Sequence, residues 1–192
     1  MKTILVPIDF SDASYNAANY AASLANVFDA GLILVHAYTN HSAIDQMPAL
    51  LLREPGKELQ EVKEDLLKGY IEILRKKYTI RINGMVREGN TSLIIQKAAT
   101  ESKADLIIMG MKGKGKSKSM FGSTTTIIVR KSSLQVLVVP ENAEYQSTGI
   151  FTLASDFDDQ TKAGDYNLLK RLAKKNDAFV QIVNVRKKAL EL

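Results

Sequence analysis

The chain has 192 residues, 45% of them hydrophobic and 24% charged, which permits a sizeable core in one domain or somewhat more. Cysteine is absent, which excludes a disulfide framework, thiol catalysis and cysteine metal sites, and no apolar run approaches the roughly 20 residues of a membrane span. The net charge of +5 raises nucleic acid as a partner, yet the only dense lysine cluster, Lys112, Lys114, Lys116 and Lys118, lies in a glycine loop with no interleaved aromatics, so nucleic acid is disfavoured.

Apolar runs that alternate with helical patterns predict a parallel sheet built from βαβ units. The opening apolar run is too short for a signal peptide, and a cytoplasmic location is expected. Thr3 to Ile8 reads as a first strand. Ser11 to Phe28 reads as an amphipathic helix capped at Ser11 or Asp12 and carrying Ala17, Ala18, Ala21, Ala22, Leu24 and Ala25. Leu32 to Ala37 gives a second strand. His41 to Gly56 reads as a loop, because Pro48 and Pro55 restrict any helix between them. Lys57 to Lys77 is a long helix with Leu59, Val62, Leu66, Leu67, Ile71 and Leu74 on one face, and Thr79 to Val86 is a third strand.

The turn Arg87 to Thr91 leads into a helix from Ser92 to Ser102, and Leu106 to Met109 forms a fourth strand. A glycine loop follows, then a helix from Thr124 to Lys131 and a fifth strand, Gln135 to Val139, stopped by Pro140. The runs around strands one, two, four and five are apolar on both faces, as sheets covered by helices require. Residues 1–140 thus form a complete α/β domain, a five-stranded parallel sheet sandwiched by helices in the Rossmann-like manner.

Residues 141–149 form a polar linker. Beyond it, Ile150 to Asp158 echoes Ile4 to Ser11, since each is an apolar strand ending in Asp-Phe. Ala178 to Val183 similarly echoes Ala30 to Val35. The offset is 147 residues, then 148 after one insertion. Residues 150–192 are therefore an incomplete second repeat, a partial β-α-β unit.

The glycine loop, Gly110 to Thr124, sits where a strand gives way to a helix N-terminus, a place suited to anions. Two registers fit it. In the first, Gly110 to Ser117 satisfies G-x-x-x-x-G-K-[ST], a P-loop whose Lys116 reaches phosphates and whose Ser117 holds magnesium. Lys118 to Gly122 then intervene before good helix chemistry resumes, and a glycine inside that first helix costs about 1 kcal/mol relative to alanine. In the second, the site spans the whole loop. Gly110 and Gly113 make the turn out of the strand, and Gly122, Ser123 and Thr124 receive a phosphate at the helix start.

The second pattern resembles the signature of the universal stress protein family: glycine, two residues, glycine, nine residues, then glycine and Ser or Thr. Val6-Pro7-Ile8-Asp9-Phe10-Ser11 and Leu34-Val35-His36-Ala37 resemble the same family, and some members carry two such domains in tandem. The resemblance covers residues 1–140 fully and 148–188 partially. It implies an adenine nucleotide alpha hydrolase-like fold and adenine nucleotide binding, with ATP as the ligand, with or without magnesium. It also implies a role in stress signalling with little or no hydrolysis.

By this resemblance Pro7, Ile8, Asp9, Ala37 and Met109 surround the adenine and ribose, while Gly110, Gly113, Gly122, Ser123 and Thr124 hold the phosphates. Lys112, Lys114 and Lys116 are further candidates for phosphate contact. It implies a homodimer through Gln135 to Val139, with the partial repeat packing across or exchanging between protomers. One departure stands out: eight residues separate Gly113 from Gly122, one fewer than in the family's nucleotide binders. Gly115 and the lysines are positioned to offset that deletion.

Plainer roles are open for the same residues. Asp9 is suited to capping the first helix, and the lysines to a solvated loop. His36 lies within a strand and reads as a core histidine, and His41 as loop surface. No catalytic constellation emerges, and Glu88 reads as turn chemistry. A binding module is expected; a P-loop NTPase and an interaction protein with a vestigial site are the alternatives.

Overall fold

In the computed structural model the described residues are 1–39, 55–112, 121–154 and 166–184. The chain divides into two units, Met1–Tyr145 and Gln146–Leu192.

The first unit runs β1 (Thr3–Pro7), α1 (Asp12–Phe28), β2 (Gly31–Tyr38), α2 (Pro55–Lys77), β3 (Ile82–Glu88), α3 (Thr91–Glu101), β4 (Leu106–Gly110), α4 (Ser123–Lys131) and β5 (Val136–Val139). The five strands form one parallel sheet in the order β3-β2-β1-β4-β5. The order reverses between β1 and β4, and in such sheets a crevice opens there, outside the carboxyl ends of the strands.

β1, β2 and β4 carry the core because they are covered on both faces. Ile4, Leu5, Val6, Leu34, Leu106, Ile107 and Ile108 have no exposed surface. One face joins Leu5, Val35 and Ile107 to Ile95 and Ala98 of α3 and Ile128 of α4. Over the other lies α1, whose Ala17, Ala18, Ala21, Ala22 and Ala25 are fully buried. Small side chains bring its backbone close to the sheet, with consequences for Gly110 described below. Tyr70 of α2 bridges to α1, donating its hydroxyl to the Tyr15 carbonyl at 3.0 Å and accepting from Asn19 Nδ2 at 3.1 Å.

Several expectations shift. Val62 and Leu66, read on the apolar face of α2, are exposed. The third strand lies at Ile82–Glu88 rather than at Thr79 to Val86. α2 runs on at its end through a Tyr78 N–H bond to the Leu74 carbonyl, and pairing with β2 begins only where Leu32 N–H meets the Arg81 carbonyl. Glu88, read as turn, therefore ends the strand opposite Tyr38. α2 begins at Pro55, read as a helix barrier but well suited to the first helical position, where its missing N–H costs nothing. β5 is an edge strand and only half-buried, not covered on both faces. His41 and Pro48 lie outside the described residues.

The chain after β5 stays with the first unit as far as Tyr145. Asn16 Nδ2 donates to the carbonyls of Pro140 and Ala143 at 3.1 and 3.2 Å, and the Tyr145 ring meets Tyr20 edge-on with centroids 5.5 Å apart.

The second unit holds β6 (Ile150–Ala154), α5 (Asn167–Asn176) and β7 (Phe179–Val183), the two strands paired in parallel. Its local geometry repeats that of the first unit. Thr3 pairs with Gly31, and Ile150 with Phe179, as the 147- and 148-residue offsets require. α1 ends at Asp29 with φ 51°, and α5 ends at Asp177 with φ 50°. The next N–H, of Ala30 or Ala178, bonds back to Ala25 or Ala173 at 2.9 Å in each case. The two units thus share a pairing register and a mode of helix termination.

Candidate functional site

A cavity of about 200 Å³ opens at the carboxyl ends of β1, β2 and β4, at the point where the strand order reverses. Each strand delivers its residues there by ending there. β1 supplies Pro7 and the following Ile8 and Asp9, β2 supplies Val35 and Ala37, and β4 supplies Met109 and Gly110. The floor is apolar and closed: Ile8, Met109 and Ile95 are buried. The polar lining comes from Asp9, Ser14, Thr91 and Lys112 and from Ser123, Thr124 and Thr125 at the start of α4.

The sequence-derived Pro7, Ile8, Asp9, Ala37, Met109, Gly110, Lys112, Gly122, Ser123 and Thr124 therefore line one cavity. Gly113, Lys114, Gly115, Lys116, Ser117 and Lys118 lie outside the described residues. Glu88 is not among the lining residues. Sequence reading missed Ser14, Val35, Thr91, Ile95 and Thr125. Thr91 was within reach, because it starts the helix after β3 and every such start sits at this end of the sheet.

Three helix N-termini converge here, and two are closed by their own side chains. For α1, Ser11 Oγ accepts from Ser14 N–H at 3.2 Å. Asp9 Oδ1 in turn accepts from Ser11 N–H at 3.0 Å and from Ser11 Oγ at 2.5 Å. For α3, Asn90 Oδ1 accepts from Ser92 and Leu93 N–H at 3.1 and 3.2 Å. α4 differs. Its cap is Gly122, which has no side chain to offer its first N–H groups. That end presents backbone donors and the positive end of the helix dipole to the cavity. The described helix opens at Ser123, beyond the Lys116-Ser117 pair at which a P-loop helix starts.

Asp9 lines the cavity and also braces the cap of α1. Gly110 needs its lack of a side chain for a packing reason. A Cβ there would lie 2.8 Å from the Ala13 carbonyl oxygen of α1. Its carbonyl accepts from Thr125 Oγ1 at 3.0 Å, which ties α4 to the end of β4. His36 is buried, as expected of a core histidine, and its Nδ1 lies 2.7 Å from the Ile8 carbonyl. A carbonyl only accepts, so this nitrogen carries a proton. Among the described residues no group of three or more His, Asp or Glu is placed to hold a metal ion, and no helix is long and apolar enough to cross a membrane.

The universal stress protein family model matches residues 1–140. The chain belongs to the universal stress protein family. A universal stress protein of Methanocaldococcus jannaschii is 31% identical over 148 residues, covering 72% of this chain and 81% of the relative. One of Thermus aquaticus is 33% identical over 139 residues, covering 72% and 98%.

Solved universal stress proteins share the fold. One from Archaeoglobus fulgidus aligns with a TM-score of 0.70 at 18% identity, over 98% of this chain and 69% of its own. A second from that organism, in complex with dAMP, aligns at 0.52 with 20% identity over 72% and 97%. A universal stress protein in complex with cAMP aligns at 0.54 with 24% identity over 73% and 98%. The fold expected from sequence, a Rossmann-like five-stranded parallel sheet between helices, is the fold observed.

Proposed function

We propose that this universal stress protein binds an adenine nucleotide in the cavity between β1 and β4, ATP in particular, and acts in stress signalling as a binding module. The observation that carries the reading is the glycine-capped N-terminus of α4, which leaves backbone N–H groups available to a phosphate. In this reading the base and ribose lie beside Ile8, Asp9, Ala37 and Met109, and the phosphates beside Gly122, Ser123, Thr124 and Lys112, all of which line the cavity. Two solved universal stress proteins of this fold are complexes with cAMP and dAMP, ligands that share the adenine and a phosphate.

Hydrolysis is slow in this proposal. Asp9 is the one carboxylate lining the cavity among the described residues, and its Oδ1 already accepts two hydrogen bonds from Ser11. Partner contacts then carry the signal, and the edge strand β5 is the surface proposed for a homodimer, with a cytoplasmic setting.

Titrating ATP with and without magnesium, followed by a turnover assay, tests the reading. Binding with little turnover is expected; Gly113→Val or Ser123→Ala abolishes it and Lys116→Ala only weakens it. Absence of affinity makes the site vestigial. Magnesium-dependent turnover that collapses in Lys116→Ala makes the protein a P-loop NTPase.

A further inference from the structure

Phe10 holds a backbone conformation that its side chain disfavours. Its φ is +59°, in the left-handed region where a bulky residue is an outlier. The other non-glycine residues at positive φ among those described are Asp29, Lys103, Asn142 and Asp177, polar residues at helix ends and turns. Phe10 alone lies beside the cavity, between Asp9 and the cap of α1. Such a conformation persists only where the surroundings enforce it.

His36 contacts both sides of this turn. Its ring packs against Phe10 with centroids 4.4 Å apart, while its Nδ1 donates to the Ile8 carbonyl at 2.7 Å. One buried side chain thus holds the residue before Asp9 by its backbone and the residue after it by its ring. Lys63 Nζ of α2 lies 5.7 Å from the Phe10 centroid, and the Tyr15 ring of α1 lies 6.4 Å away. A left-handed residue after Asp9 turns the chain back, so the carboxylate reaches Ser11 N–H at 3.0 Å while still lining the cavity.

We infer that Phe10 and His36 form a clamp that positions Asp9 for the ligand, with Phe10 a positioning residue rather than a contact. The inference rests on the reading of Asp9 as a nucleotide contact, and it assigns a role to two side chains that are not among the cavity's lining residues. His36, a core histidine by sequence, then serves the site from behind.

The test compares Phe10→Ala with Phe10→Gly in the full chain. Alanine removes the ring and keeps the left-handed penalty, so the turn opens; glycine removes both, so the turn is retained. Two quantities are read: hydrogen exchange of the Ser11 amide without ligand, and affinity for AMP. In Phe10→Ala, Ser11 exchange accelerates about tenfold and AMP affinity falls about tenfold, while Phe10→Gly stays within about threefold of the parent in both, as the left-handed penalty implies. Protected amides of Ile107 and Ile108 in both variants confirm the fold. Unchanged Ser11 exchange in Phe10→Ala, or equal effects of alanine and glycine, overturns the clamp. The exchange measurement needs no ligand, so it decides the inference even if AMP fails to bind, a result that counts against the proposed function instead.

Discussion

Thr125 donates its hydroxyl to the Gly110 carbonyl at 3.0 Å, joining the first turn of α4 to the last residue of β4. Both residues line the cavity, so this bond joins two parts of its wall. Thr125 is buried, so Thr125→Val keeps the volume while leaving that carbonyl without its hydroxyl partner. A loss of about 1–2 kcal/mol is expected, measured by urea unfolding. Nucleotide affinity falls with it, because the α4 N-terminus is no longer fixed.

Gly122→Asp separates stability from binding. The Gly122 backbone, at φ −63° and ψ 156°, is open to any residue. An aspartate there caps α4 and complements its dipole, for a gain of about 0.5–1 kcal/mol in thermal or urea unfolding. The same carboxylate occupies the donors offered to a phosphate, so affinity for ATP falls at least tenfold by calorimetry. A variant that is more stable and binds equally well contradicts the anion role of that helix end.

Gly110→Ala reports the closeness of α1 to the sheet. The new methyl group meets the Ala13 carbonyl oxygen at 2.8 Å and its carbon at 3.1 Å, backbone atoms that do not yield easily. A destabilisation of about 2 kcal/mol is expected, within the range for overpacking. If glycine served only the loop turn, the unfolding midpoint would not move.

Alkaline pH acts through Tyr70. Burial first, then the neighbouring Tyr15 and Tyr78, holds its phenol well above the ordinary value of 10.0. The folded protein therefore keeps a proton that the unfolded chain releases. This stabilisation is full below pH 10.0 and is lost as pH rises through the higher folded value. Melting temperature should fall along this alkaline limb, and Tyr70→Phe should flatten it at the cost of the hydroxyl bonds to Tyr15 and Asn19.

The parts legible in sequence were those with one dominant cause. β1, β2 and β4 are buried on both faces and so read as unbroken apolar runs. Because these three strands end at one crevice, Asp9, Ala37 and Gly110 were brought together by topology alone. β3 was misplaced because it is an edge strand with Asn83 and Gly84 exposed, so its pattern carries little of the core signal. Thr125 and Ile95 were missed because a residue in the first turns of a helix has no signature that distinguishes cavity from core. Nothing in the letters Asp-Phe-Ser reveals that Phe10 is left-handed; that comes from His36, distant in sequence.

The central claim is that the cavity between β1 and β4 holds an adenine nucleotide. It is tested most directly by following backbone amide shifts while ATP is titrated into the full chain. The account predicts saturable shifts at Asp9, Ala37, Gly110 and Ser123, with Asn83 and Gly84 at the far edge of the sheet unmoved. Saturation without movement at Asp9 and Ser123, or no shift at any concentration, would contradict it.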